Sequence, residues 1–477
     1  MGEPGARLRS MATRFVPIDR ETPLLLPPDL RDWVPAGHLV HFVLDAVAAL
    51  DLRCVKVNER GTGSEQYPPP MMLALLIYSY ASGTFSSRRI EQSTYDSVPV
   101  RLLTADTHPD HNTICTFRRE NQALLSESFV KVLQLAQQVQ VLQFGQITVA
   151  VDGTKVLANA SKHSAVSYQR AGQLIEQLEL EVQQLLAKAE QADSTPLQDG
   201  LSLPAEITRR QERRAALEQA RAQIEARAQA RYAAQLAEYE RKMAERAAKK
   251  ERGEKVGGQP PQAPSSEPGS GDQYNFTDPE SRIMKAGNGQ HFEQSYNAQA
   301  AVEVQSRLIV GPRLSDAPND KEQLVPDVQA IPEQAGSLRA VLADSGFYSD
   351  KAVRQIEQTP EAQLSGTVVY AAIEKTSHHR SVADLEKKPE PEPPAAGASS
   401  MEVMRYRLKT PAGKALYKLR QQTVEPVFGI IKSVMGFRQF LLRGLVKVSL
   451  EWELVCLAYN FRRLHRMGVG LRLAAPG

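Results

Sequence analysis

Residues 147–156, ITVAVDGTKV, decide the fold. Six of these ten residues are β-branched, and the apolar run is broken by one acid, Asp152, as in a strand buried on both faces whose polar residue marks its functional end. A strand buried on both sides needs partners, and they reappear in the sequence only near residue 295. YNAQAAVEV (296–304) and RLIVGPRL (307–314) read as neighbouring strands, RAVLADSGFYS (339–349) as a strand ending in Asp344, and GTVVYAAI (366–373) as a fifth strand. APNDKEQLVPDVQAI (317–331) suits an irregular helix, KAVRQIEQ (351–358) a second, and 412–466 is predominantly helical. Strands alternating with helices predict an α/β catalytic domain over 143–477 built on one mixed sheet.

The gap between the first strand and the rest is filled by helical sequence. Leu174, Leu178, Val182 and Leu185 are three or four apart, as are Leu236, Tyr239 and Met243, with the breakers Pro196 and Gly200 between the two groups. This pattern predicts an antiparallel helical hairpin or short coiled coil inserted over 166–252. The Pro/Gly/Ser-rich 253–273 reads as a disordered linker and 381–400, with its Pro/Glu-rich core, as a second linker.

Ahead of the first strand, 1–142 reads as an all-α domain. GHLVHFVLDAVAAL (37–50) and MMLALLIYSYAS (71–82) are dense in apolar residues, and the second follows Pro68, Pro69 and Pro70, which suit a helix entry. Further helices start near Ser86 and Ser87 and near Asp110 to Thr113, and 122–142 is amphipathic. Short helices with paired arginines near their starts, Arg88 and Arg89, Arg118 and Arg119, fit either a helix-turn-helix DNA reader or an ordinary bundle with a charged wet face.

Composition narrows the class. At 477 residues, 42% hydrophobic and 24% charged, the chain has the average of a soluble globular protein. No apolar run is long enough for a membrane span and MGEPGARLRS lacks a signal-peptide core, so a cytoplasmic, nucleoid-associated protein is expected. Three scattered cysteines, Cys54, Cys115 and Cys456, argue for structural thiols rather than disulfides or a zinc site. The net charge of +3 conceals an asymmetry: 1–150 carries 14 Lys and Arg against 15 Asp and Glu, while 401–477 carries 14 against 4. A basic C-terminal segment suits a polyanionic partner.

Asp152 and Asp344 each end an apolar strand and are followed by a small residue, and strand ends of α/β sheets are where ligands gather. A third acid, Glu425, lies among cations in YKLRQQTVEPVFGIIK (417–432). Three convergent carboxylates suit hard divalent ions, which take oxygen ligands and keep positions open for water and phosphate. Taken singly, each acid is better explained by a cap or surface ion pair; together their contexts tilt the balance. His163, His378 and His379 read as surface or hydrogen-bonded side chains, and no Gly-rich phosphate loop points to a nucleotide cofactor.

The pieces 147–163 (ITVAVDGTKVLANASKH), 341–349 (VLADSGFYS) and 417–432 resemble, in that order, the three acidic motifs of DDE-type transposases of bacterial insertion sequences. The stretch from FVPIDRETPLLLPPDL to TICTFRREN resembles the helical N-terminal domain of that group, and DPESRIMK (278–285) and YNAQAAVEV add to the agreement. The resemblance implies an RNase H-like catalytic domain with Asp152, Asp344 and Glu425 as catalytic metal ligands. It further implies two Mg²⁺ ions, with Mn²⁺ able to substitute, and strand cleavage and transfer on the element's terminal repeats. Double-stranded DNA, both element ends and target, is the implied partner. A homodimer is expected at least on DNA, because two element ends must meet. The group's Tyr-Arg-Glu-Lys signature maps onto Tyr417, Arg420, Glu425 and Lys432, with Tyr417, Arg420 and Lys432 as implied DNA contacts. Four residues separate Arg420 from Glu425 where the commonest form has three, and positions i and i+5 lie about 140° apart on a helix, which sets Arg420 off the Glu425 face. Lys432 returns close to that face, placed to meet a phosphate. A catalytically inactive or repurposed DNA-binding protein and an RNase H-fold nuclease are the alternative readings of the same residues.

Overall fold

The computed structural model describes residues 29–50, 52, 54–56, 66–142, 145–192, 202–253, 259–285, 291–373, 391–395 and 398–469. The expected hairpin turn around Pro196 and Gly200, most of the 381–400 linker, and His378 and His379 lie outside them.

The buried run beginning at Ile147 forms β1 (Gln146–Leu157), the middle strand of a six-stranded sheet. Val149, Ala150 and Val151 are fully buried, because both long edges of β1 are paired and both faces are covered. On one side lies β5 (Phe292–Glu303), antiparallel, with Asp152 opposite Ala300. On the other lies β7 (Ser337–Ala343), parallel, with Val149 opposite Val341 and Ala150 opposite Leu342. β8 (Val368–Ala371) extends the parallel side, while β6 (Ile309–Ser315) and β4 (Arg282–Lys285) pair with successive stretches of the outer edge of β5. The predicted strands are present, with β4 unforeseen; the helix expected over 317–331 shrinks to α9 (Leu324–Gln329), and α10 (Asp350–Glu357) and α11 (Pro360–Ser365) lie between β7 and β8.

Six helices precede the sheet: α1 (Leu39–Ala48), α2 (Pro69–Ala81), α3 (Ser87–Asp96), α4 (Val98–Leu103), α5 (His111–Glu120) and α6 (Gln122–Gln138). The proline run does place the N-terminus of α2, and Asp110 caps α5 by accepting from the backbone N–H of Asn112 and Thr113. α2 is buried over ten consecutive residues, too many for one amphipathic face. The helix that surrounds it comes from the other end of the chain. This helix, Leu445–Arg466, packs on α1, α2 and α6 and also on β6, so the N-terminal helices and the sheet share one continuous core. Its Asn460 side chain accepts from Ile309 N at 2.9 Å and donates to Ile309 O at 2.8 Å, closing the start of β6 as a strand partner would. Arg118 is not the surface cation expected: it is 3% exposed and donates to the Tyr80 hydroxyl at 2.7 Å, whereas Arg88, Arg89 and Arg119 are exposed.

The insertion is a hairpin of α7 (Tyr168–Ala192) and α8 (Leu203–Glu251). Arg210 pairs with Glu181, Arg214 with Glu179, and the Tyr168 hydroxyl donates to Glu225, a descending register that fixes the antiparallel sense. The hairpin has its own small core of Ala171, Leu178, Leu217 and Ala220, with Val166 of the two-stranded ribbon β2 (Ala165–Ser167) and β3 (Gln273–Asn275) at its foot. With 49 residues, about 74 Å at 1.5 Å per residue, α8 is nearly twice as long as α7 and runs past the ribbon. Arg227 and Arg231 pin it there, on Pro279 O at 2.6 Å and on Asp272 at 2.9 Å. The end of the expected linker 253–273 is therefore fixed: Asp272 is held by Arg231, and Gln273 opens β3. Among the described residues no helix is long and apolar enough to cross a membrane. Cys54, Cys115 and Cys456 are free thiols.

The expected 412–466 helix is broken. After α12 (Ser400–Lys409), α13 (Pro411–Gly429) contains Pro426 directly after Glu425, then widens into a π-helical turn over Ile430–Val434. Proline removes one helical hydrogen bond and a π-turn adds a residue, and both re-aim the segment beyond them. The chain then runs alongside the end of β1, Leu157 N donating to Arg438 O and Phe440 N to Leu157 O, before α14 begins at Leu445.

Candidate active site

β1 and β7 run in the same direction, and their register, carried two residues beyond the Ala150–Leu342 pair, sets Asp152 beside Asp344. Both carboxylates are anchored by nearby backbone. Asp152 Oδ1 accepts from Gly153 N at 2.8 Å, and Asp344 Oδ1 accepts from Gly346 N at 2.8 Å, while the fully buried Phe347 pins the loop behind Asp344. Gly153 is required by what lies on the other face of the sheet: a Cβ there would sit 2.4 Å from Gln299 Nε2 and 2.8 Å from Asn297 Oδ1. Gln299 and Asn297 are both fully buried, and their amides donate to Asp320 at 2.6 and 2.7 Å, with Lys155 3.9 Å from the same carboxylate.

Helix α13 crosses the sheet over β1, β5, β7 and β8. Its start is fixed by Thr410, which caps Gly413 N, and by the absence of a side chain at Gly413, where a Cβ would meet Arg407 O. Thr423, Val424, Val427 and Phe428 are buried, and with them Arg420; the Thr423 hydroxyl donates to Leu419 O of its own helix, so Arg420 is the one charged group among them. Arg420 Nη1 donates to Asp152 Oδ2 at 3.0 Å, and its Nη2 stands 3.9 Å from Glu425 Oε1. The five-residue spacing does separate the two side chains around the helix, and the length of arginine spans the separation. Arg420 thus ties the β1 acid to the α13 acid. Tyr417, one turn earlier and half-buried, lies beside Arg420 and Asp344.

Charge in this cluster is poorly solvated. Burial pushes the Asp152 carboxyl up to about 6, with Arg420 opposing and the neighbouring Asp344 reinforcing the rise. Burial likewise raises the Tyr417 phenol. The Glu425 side chain is more open, 59% exposed, at the mouth of the site. Among the described residues no three His, Cys, Asp or Glu side chains stand close enough together to hold one ion as they are. Carboxylates are the hard oxygen donors that divalent ions such as Mg²⁺ take, and here Arg420 stands between two of the three, Asp152 and Glu425.

Lys432 is placed differently from the expectation of an outward phosphate contact. The π-turn directs it back onto β1, where Nζ donates to Thr154 Oγ1 at 2.6 Å and to Lys155 O at 2.7 Å. Burial, then Arg438 and Lys155, lower its pKa. Two of its three N–H donors are thereby engaged in holding α13 against the strand that carries Asp152. Sequence reasoning also missed Lys155, Asn297, Gln299 and Asp320 behind the site; the signal was the two-residue alternation of amides in YNAQAAVEV, which marks one polar face of a strand. It missed equally the role of DPESRIMK, where the fully buried Asp278 accepts from Tyr296 and Gly444 N, and Glu280 accepts from Leu445 N at the start of α14.

Two family models match the chain. The transposase DDE domain matches residues 394–465, which span α12 to α14 and contain Tyr417, Arg420, Glu425 and Lys432 but neither Asp152 nor Asp344. The transposase domain DUF772 matches 28–120, the helices up to α5. No curated protein and no solved structure matches it. The two matched segments lie at opposite ends of the sequence, yet α14 packs directly on α1 and α2. Two transposase-domain matches at opposite ends of one chain, whose helices pack into one core, indicate an insertion-sequence DDE transposase.

Proposed function

We propose that the chain binds the terminal repeats of its element and catalyses metal-dependent strand cleavage and strand transfer, with Asp152, Asp344 and Glu425 as the metal-binding catalytic acids. The observation that carries this reading is the register that sets Asp152, in the middle of β1 rather than at its end, beside Asp344, one residue past the end of the parallel β7, with Arg420 bonded to Asp152 and 3.9 Å from Glu425. The strand order supports an RNase H-like arrangement: β6, β5 and β1 are antiparallel neighbours, and β7 and β8 continue from β1 in parallel, with β4 an addition at the edge.

Transposase DDE domains usually use divalent metals. A backbone phosphodiester is already anionic, so attack on it needs charge neutralisation and a deprotonated nucleophile near neutral pH; a pair of Mg²⁺ ions, or Mn²⁺, supplies both when bound. Asp152, Asp344 and Glu425 would hold such ions. Arg420 and Tyr417 line the same mouth and would orient the scissile phosphate, and Lys432 braces β1 beneath it. The nucleophile is water in the first step and the freed 3′-hydroxyl in the second. No nucleotide cofactor is needed, because the transferred phosphodiester is the substrate's own.

The test is incubation of the protein with a plasmid carrying the gene's own flanking DNA, with Mg²⁺ or Ca²⁺, comparing wild type with Asp344→Asn. Mg²⁺-dependent breaks at the flank boundaries that disappear in the variant are expected; binding without breakage under either metal would leave a DNA-binding protein. Because two element ends must be joined, we also propose a dimer on DNA with the hairpin of α7 and α8 at its interface. Replacing 170–250 by a short linker is then expected to abolish the paired-end complex in a gel shift, and unchanged assembly would dispose of that role.

A further inference from the structure

Two of the three carboxylates that the proposed chemistry assigns to metal are held here by a side chain of the protein. Arg420 forks across them, Nη1 on Asp152 Oδ2 at 3.0 Å and Nη2 at 3.9 Å from Glu425 Oε1. Arg420 is 8% exposed, and its Nε is buried with no hydrogen-bond partner. A guanidinium that is fully at home in a protein interior has its donors satisfied. This one is placed by Asp152 and Glu425 with Tyr417 beside it, and its buried Nε–H is left without an acceptor.

We propose that Arg420 is an internal competitor for the metal site: it occupies the carboxylates of Asp152 and Glu425 until a divalent ion displaces it, and the displaced guanidinium then becomes the phosphate-binding group. The inference rests on the reading of Asp152 and Glu425 as metal ligands. Its physical basis is exclusion. A dication bonded to Asp152 Oδ2 and a guanidinium hydrogen-bonded to the same oxygen are like charges on one atom in a poorly solvated site, where their repulsion is not screened away. One of them leaves, and arginine, on a flexible stem with an unsatisfied Nε, is the one able to turn. Outside the carboxylate pair its planar fork fits a phosphate, the other anion for which bidentate geometry is favourable.

The five-residue spacing between Arg420 and Glu425 makes this possible in this chain. At four residues apart the two side chains would stack along one face of α13 and pair with each other; at five, Arg420 is turned toward β1 and reaches Asp152 while still touching Glu425. Linkage has two consequences. Metal binds more weakly than the three carboxylates alone would allow, because it must first break the Arg420 contacts. DNA binds more tightly once metal has bound, because only then is Arg420 free, and the coupling is the same in both directions.

The experiment measures Mn²⁺ binding to the DNA-free full-length protein by electron paramagnetic resonance, so the readout does not depend on turnover. Arg420→Gln removes the competitor and is expected to bind Mn²⁺ about tenfold more tightly than wild type, with Arg420→Lys, which keeps the charge but cannot fork, in between. In fluorescence anisotropy with labelled flanking DNA, wild type is expected to bind more tightly when Ca²⁺ is added, and Arg420→Gln to show no such gain. Mn²⁺ affinity that is unchanged or weaker in both arginine variants, with circular dichroism matching wild type, overturns the competition. Asp152→Asn separates the two levels: if it leaves Mn²⁺ binding intact, the metal site itself is wrong, whereas loss of Mn²⁺ in Asp152→Asn together with no change in the arginine variants rejects only the role of Arg420.

Discussion

Asp152→Asn is expected to reduce metal-dependent strand cleavage on the order of 10³-fold or more while leaving the affinity for flanking DNA within about threefold. The substitution keeps the volume and nearly the shape of a side chain whose Oδ1 accepts from Gly153 N, so β1 and its register with β5 and β7 are unaffected. What it removes is the negative charge. A neutral amide is a poor ligand for a hard dication, and several kcal/mol of transition-state charge stabilisation go with it. It also leaves Arg420 facing a neutral group at 3.0 Å, so the α13 contact weakens but is not broken. Cleavage assayed on a labelled flank substrate, with binding followed by gel shift, separates the two effects. Cleavage retained within about tenfold would remove Asp152 from the chemistry.

Arg118→Ala is expected to destabilise the fold by about 3–5 kcal/mol, the cost of leaving a buried charge without its partner. Arg118 donates to Tyr80 Oη at 2.7 Å, and Tyr80 donates on to Glu451 Oε1 at 3.3 Å. Glu451 is fully buried, and its Oε2 accepts from the backbone N–H of Leu441 and Leu442, just ahead of the helix on which it sits. One chain of hydrogen bonds thus runs from α5 through α2 to α14, across the two segments matched by the transposase families. Burial raises the Glu451 carboxyl, and Arg118 is the first of the groups that oppose the rise, ahead of the Leu442 and Leu441 backbone N–H and the Tyr80 hydroxyl. Without Arg118 the folded state binds a proton at Glu451 more readily than the unfolded state does. Stability of the variant therefore falls as pH rises through the interval above the ordinary carboxylate value, and the deficit is smallest in acid. Urea denaturation at two pH values measures both magnitude and sign; a loss below about 1 kcal/mol would show that the network does not tie the two ends of the chain together.

Much of the catalytic half was legible because its signals are local. The β-branched run around Asp152, the apolar run ahead of Asp344 and the heptad-like spacing of the insertion each report on their own neighbours, and each forms the expected strand or helix. Arg118 was misplaced for the opposite reason. A paired arginine near a helix looks like a wet face, and nothing in its local sequence reveals that Tyr80 and Glu451, 38 and 333 positions away, converge on it. The direction of Lys432 depended on a π-turn, which has no simple periodic signature, and on Pro426, which hid in an otherwise continuous helical pattern. Arg420 was placed correctly around its helix, but helical angle alone could not say that the other wall of the site, β1, lies within its reach.

Mapping the breaks made in a plasmid that carries the gene's flanking DNA, by wild type and by Asp152→Asn, Asp344→Asn and Glu425→Gln, tests the central claim most directly. The expected result is a set of breaks at the element boundaries that need a divalent metal and all three carboxylates, with 3′-hydroxyl ends. Breaks that persist in any of the three variants, or breaks scattered without regard to the boundaries, would contradict it.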